Sequence, residues 1–156
     1  MKYRQDIGLG EVLAVPLAQF FFTLGWQVDL VIPVPLGKKR ARQRGFNQAA
    51  LLAYPFALET GIEYQPRALW RSKETSTQVG LSIAQRRQNV ENAFTAEPNR
   101  VAGKRVLLLD DVATTGATLS SCARSLLNAA AVDVQALTLA RAAKLTGGIY
   151  DDSNTV

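Results

Sequence analysis

Hydrophobic positions along the chain switch between two periods, and the switches outline the elements. Residues 7–24 are apolar with scattered small and polar breaks, which predicts a helix that Pro16 either kinks or restarts. Leu30-Val31-Ile32 is a short β-branched run that stops at Pro33. A second helix is predicted over residues 48–60, with Asn47 as its cap and Gly61 as its stop; Pro55 should bend or shorten it. Ile62-Glu63-Tyr64 and Ala68-Leu69-Trp70 read as short strands. Residues 71–81 are polar and without period, the mark of a surface loop. Ser82 and Gln85 have capping-box spacing and open a helix to about Asn92, followed by a strand at Ala93-Phe94-Thr95 and a turn at Glu97-Pro98-Asn99. Four apolar residues, Val106 to Leu109, read as a buried strand; a helix over residues 119–130 and a strand over residues 132–139 complete the pattern.

Strands alternating with helices predict an α/β architecture: a twisted, mostly parallel sheet flanked by helices on both faces. Such sheets bind ligands beyond the carboxyl ends of their strands. We place one domain at residues 1–143 and a loose tail at residues 144–156, and find no internal repeat. With 156 residues, 47% of them hydrophobic, the chain can bury a real core. Its single cysteine, Cys122, leaves no disulfide framework and reads as a buried helix residue; a reducing cytoplasm is the expected setting. The absence of histidine excludes a catalytic triad and an imidazole base. The apolar stretch at residues 12–26 is broken by Pro16, Gln19, Thr23 and Gly25 and falls short of a membrane span. It reads as a buried or partner-covered helix, so no membrane insertion is expected. Phe20-Phe21-Phe22 within it hints at a covered surface, as in a homodimer.

A net charge of +5 and a pI near 9.7 point to an anionic ligand, and much of the positive charge is gathered in Lys38-Lys39-Arg40-Ala41-Arg42-Gln43-Arg44. The chemistry is declared further on, where the strand ends on Asp110 and Asp111. Ala113-Thr114-Thr115-Gly116-Ala117-Thr118 follows as a small, hydroxyl-rich turn leading into a helix. Backbone amides of a tight turn, threonine hydroxyls and a helix N-terminus converge on a phosphate. Two adjacent carboxylates suit something else: vicinal hydroxyls, or a hydrated Mg²⁺. A ligand with a phosphate at one end and a diol nearby is a ribose 5-phosphate. The bland alternative is an ordinary strand–turn–helix capped by Asp111.

This string resembles the phosphoribosyl-diphosphate (PRPP) signature of type I phosphoribosyltransferases. Asp29-Leu30-Val31-Ile32-Pro33-Val34-Pro35-Leu36, then Lys38-Lys39-Arg40 and Arg44-Gly45-Phe46-Asn47-Gln48, narrow the resemblance to the ComF family of competence-related phosphoribosyltransferase-like proteins. Gln78 to Ser82, Arg86 to Val90, Ala93-Phe94, the stretch from Gly103 to Leu119, Cys122 and Leu139-Ala140-Arg141 continue it in order. Two features depart from the family pattern. The N-terminal four-cysteine zinc module is not among these 156 residues, and Gly37 stands where histidine often follows Pro-Leu.

The resemblance implies a type I phosphoribosyltransferase-like fold and, with Mg²⁺, transfer of phosphoribosyl from PRPP to a nucleobase-like acceptor that the sequence does not identify. Asp110 and Asp111 would hold the ribose hydroxyls and, through water, the metal. Ala113, Thr114, Thr115, Gly116, Ala117 and Thr118 would wrap the 5-phosphate. Val34, Pro35, Leu36, Gly37, Lys38 and Lys39 would form the diphosphate loop, and residues 71–81 a lid from which Arg71 or Lys73 reaches the leaving group. The rival expectation keeps the pocket without the chemistry: a nucleotide-sensing or DNA-uptake accessory protein that binds single-stranded nucleic acid through residues 38–44.

Overall fold

In the computed structural model, residues 3–37, 45–72 and 93–141 are described. Their elements run α1 (Tyr3–Thr23), β1 (Leu30–Pro33), α2 (Gln48–Thr60), β2 (Glu63–Tyr64), β3 (Leu69–Arg71), β4 (Phe94–Ala96), α3 (Pro98–Val101), β5 (Arg105–Ala113), α4 (Ala117–Asn128) and β6 (Asp133–Arg141). Four strands form one sheet in the order β2-β1-β5-β6, every pair parallel. β3 and β4 pair antiparallel in a separate ribbon, Trp70 opposite Thr95.

β5 is central because its side chains are apolar on both faces. Val106 and Leu108 join Leu30 and Ile32 on the side packed by α4 and the ribbon. Leu107 and Leu109 join Val31 on the side packed by α1 and α2. That is the alternation expected of a strand covered on both faces. Deleting such a side chain leaves a hole on one side only, at a cost of about 2–5 kcal/mol for Leu to Ala. At the amino ends of β1 and β5, Asp29 accepts hydrogen bonds from the Arg105 backbone N–H (2.8 Å) and from its guanidinium (2.7 and 3.0 Å). That guanidinium holds the Asp29 carboxyl well below the usual carboxylate range.

Several boundaries differ from the sequence pattern. α1 starts at Tyr3 and runs through Pro16, whose ring lies on the exposed side. α2 keeps its full length despite Pro55: Asn47 Oδ1 accepts from the Ala49 N–H at 3.2 Å, and Gly61 closes it in the left-handed conformation (φ 71°). Pro98 opens a one-turn helix where a turn was expected, since proline at the first helical position loses no hydrogen bond. β5 does not stop at Leu109. It continues through the acidic pair to Ala113, because β6 goes on pairing with it, Asp110 opposite Thr138 and Ala113 opposite Arg141. The predicted helix at residues 82–92 and the tail at residues 144–156 lie outside the described residues.

Candidate functional site

β1 ends opposite Leu109, so the last four residues of β5 reach past it. From Val106 to Leu109 the strand is fully buried; from Asp110 to Ala113 it is half-buried, with Val112 exposed. The two carboxylates therefore sit where the sheet stops being a core. The Asp111 N–H donates to Asp110 Oδ1 (3.0 Å), and the Val112 N–H to Asp111 Oδ1 (2.8 Å). Burial, then the side chain of Asp111, pushes the Asp110 carboxyl up to about 7. A pair that resists double ionisation is relieved by a cation or by hydroxyl donors placed against it.

Beyond the pair the chain turns through Thr114 and Thr115 to Gly116, which adopts φ 73° and caps α4. Only a left-handed residue makes this turn, and glycine does so without strain. α4 opens at Ala117, two residues earlier than its hydrophobic pattern suggests, which places Thr118 in its first turn. The Ala117 N–H points to Thr115 Oγ1 at 3.4 Å, and no acidic residue occupies that turn. A cavity of about 50 Å³ lies here, lined by Asp110, Val112 and the whole of 113–119. It has room for a group of a few heavy atoms, and its walls offer amides and hydroxyls at a helix N-terminus. Asp111 is not among its lining residues.

The turn after β1 leaves beside this opening. The Val34 N–H donates to the Leu109 carbonyl (2.9 Å), and Asn47 Nδ2 donates to the Val34 carbonyl (3.0 Å). One asparagine thus caps α2 and fastens the turn; its cap role is legible in the sequence, its second bond is not. Val34 and Gly37 are buried, Pro35 and Leu36 half-buried. Lys38 and Lys39, with the rest of the basic stretch to Arg44, lie outside the described residues, as does Lys73.

Arg71 is the last residue of β3, not part of a loop, because Leu69 to Arg71 pair with Phe94 to Ala96. Its guanidinium lies over the Phe94 ring, 5.4 Å from the centroid. A Cβ built on Gly37 would lie 3.5 Å from Arg71 Cδ and 3.6 Å from Nη1. The arginine therefore borders the turn at the one position without a side chain. Cys122 on α4 feels both Asp110 and Arg71, and burial pushes its thiol up, so it is the inert core residue expected. The structure thus brings the acidic pair, the Thr/Gly turn, the turn at residues 34–37 and Arg71 to one end of the sheet. Among the described residues no three acidic, histidine or cysteine groups converge as a metal cluster.

Residues 38–154 match the family described as a phosphoribosyl transferase domain. The chain belongs to that family. The names of its relatives in sequence are consistent with the ComF resemblance. The chain is 40% identical over 134 residues to the "DNA utilization protein YhgH" of Escherichia coli O157:H7, covering 85% of this chain and 59% of the relative. It is 40% identical over 116 residues to "Competence protein F" of Haemophilus influenzae, covering 73% of this chain and 51% of that one. The chain thus spans 44–59% of the length of the curated relatives it matches. The fold is shared with adenine phosphoribosyltransferase from Thermoanaerobacter pseudethanolicus (TM-score 0.54, 16% identity, 90% of this chain and 70% of that one). A type I phosphoribosyltransferase fold explains why this chain places its acidic pair and Thr/Gly turn beyond the tips of parallel strands.

Proposed function

We propose that this domain binds PRPP across the ends of β1 and β5 and transfers its phosphoribosyl group to a nucleobase-like acceptor. The observation that carries the reading is the common placement of three chemistries: a carboxylate pair, an amide- and hydroxyl-lined cavity at a helix N-terminus, and a buried turn bordered by an arginine. The cavity at residues 113–118 takes the 5-phosphate. Asp110 and Asp111 accept hydrogen bonds from the ribose hydroxyls, and Asp110, held near neutrality by burial, ionises fully once those donors are in place. The turn at residues 34–37, with Lys38 and Lys39 after it, faces the diphosphate. Arg71 and Lys73 are the cations assigned to stabilise charge as it leaves.

Hard carboxylate oxygens suit Mg²⁺, which would be held by Asp110 and Asp111. When bound it supplies charge neutralisation to the leaving diphosphate. The test is calorimetric titration of PRPP with Mg²⁺ into wild type and the double variant Asp110→Asn/Asp111→Asn. Binding should weaken at least ten-fold, about 1.4 kcal/mol, in the variant. Equal affinity in both proteins would refute the ribose role of the pair.

The names of the relatives favour a second reading, in which the pocket serves DNA uptake rather than turnover. The five cations among residues 38–44 would then contact single-stranded nucleic acid. It predicts oligonucleotide binding that falls steeply with salt, and no diphosphate release from PRPP.

A further inference from the structure

The turn at residues 34–37 has no charge with which to meet an anion. Val34, Pro35, Leu36 and Gly37 carry no polar side chain, and Pro35 has no N–H. What such a turn can offer a phosphate is backbone, the N–H groups of Leu36 and Gly37, aimed by the torsions that precede them. A lysine reaches an anion on a flexible stem; an amide serves only if its peptide plane already faces the right way. Two hydrogen bonds set that direction, and both act on Val34. Its N–H donates to the Leu109 carbonyl (2.9 Å), extending the β1–β5 pairing by one step. Its carbonyl accepts from Asn47 Nδ2 (3.0 Å), a side chain 13 positions along the chain. With both backbone groups held, φ and ψ of Val34 are restrained, and the ring of Pro35 sets the next φ. That leaves ψ of Pro35 as the soft torsion before the Leu36 amide. Asn47 is itself anchored, since its Oδ1 accepts from the Ala49 N–H at 3.2 Å as the cap of α2.

On the reading of the strand tips as a PRPP site, we propose that Asn47 is a positioning residue for the diphosphate end of the ligand. Acting through Val34, it holds the turn in the conformation whose amides meet the diphosphate, and it touches neither the 5-phosphate cavity nor the acidic pair. Amides fixed in advance need no rearrangement when the anion arrives. A turn released at Val34 has to be ordered at the moment of binding, and that entropy is lost from the affinity. A helix cap with no further role would show itself in stability alone. The two roles use different atoms: the cap needs the Asn47 oxygen, the turn needs its nitrogen. Serine caps a helix as well as asparagine does, but its hydroxyl ends a bond length short of the Val34 carbonyl. It therefore separates the two.

Calorimetric titration of the full chain with PRPP and Mg²⁺, and separately with ribose 5-phosphate, which lacks the diphosphate, tests the assignment. Asn47→Ser should bind PRPP about five-fold more weakly, the factor that one hydrogen bond of ordinary net strength supplies. It should bind ribose 5-phosphate as wild type does and melt within a few degrees of it. Gly61→Ala, at the far end of the same helix where φ is 71°, should do the reverse: melt several degrees lower and keep the PRPP affinity. Should Asn47→Ser lose its far-ultraviolet circular dichroism, Asn47→Thr, also a capping residue, takes its place. Equal PRPP affinity in wild type and the Asn47 variant overturns the positioning role and leaves the strand-tip reading standing. An equal loss for both ligands overturns it too, because Asn47 would then support the whole site. Weaker PRPP binding in Gly61→Ala does the same, because any loosening of α2 would then suffice. A wild type that binds neither ligand overturns the strand-tip reading, and the role of Asn47 falls with it.

Discussion

Asp110 is where the stability of the fold and the chemistry of its site oppose each other. Its folded-state value of about 7 lies above the unfolded 3.8, so ionising it costs the folded protein stability. That cost is absent below about pH 4 and complete above about pH 8, on the high side of both values. Asp110→Asn should therefore raise stability relative to wild type by roughly 1–3 kcal/mol at about pH 8, less than the full shift implies because the group is partly open to water, and by little at about pH 4. Thermal unfolding of both proteins across that range measures the gap. A gap that stays constant with pH would mean that Asp110 is not the strained group. Binding should run the other way: PRPP affinity should fall as pH drops through 7 in wild type, where the ribose hydroxyls and any cation need the ionised carboxylate.

Among the elements, the contact between α1 and α2 is set by one hydrogen atom. A Cβ added at Gly10 would lie 2.5 Å from the Leu51 carbonyl oxygen, a backbone atom that cannot swing aside. Gly10→Val should therefore push the helices apart and cost about 1–3 kcal/mol, read as a lowered midpoint in urea unfolding. An unchanged midpoint would mean the helices slide freely. The sequence gives no sign of this contact, since glycine inside a helical run signals weakness rather than close approach. It does announce the caps of α2, because Asn47 and Gly61 act through their own backbone neighbourhood. What reads from sequence is local: periodicity, caps, turn residues. The pairing of Leu69 to Arg71 with Phe94 to Ala96, which lifts Arg71 out of its expected loop, depends on residues more than twenty positions apart, and no local pattern encodes it.

At the scale of the whole molecule, the sheet and its ligand end follow from two strings, the apolar runs of β1 and β5, each ending in residues poor at filling a core. The acidic pair and the Thr/Gly turn could be found because their order is improbable by chance, and the parallel pairing of β1 with β5 brings them beside the turn at residues 34–37. Asn47's bond to Val34 and the nearness of Arg71 to Gly37 could not be found, because each is a fact about surfaces meeting after folding. The uneven strand lengths have a mechanical result. Asp110 to Ala113 overhang β1 and are fastened along one side only, by β6 from Thr138 to Arg141. Such an overhang is a cantilever, and its stiffness is set by the strand it is riveted to. Ala140→Pro, in an exposed stretch far from the cores, should remove one rivet and loosen PRPP binding several-fold while the melting temperature moves by only a few degrees. Loss of fold and binding together would show the overhang to be part of the core. On the proposed reading, it is β6, outside the assigned site, that decides how firmly PRPP is held.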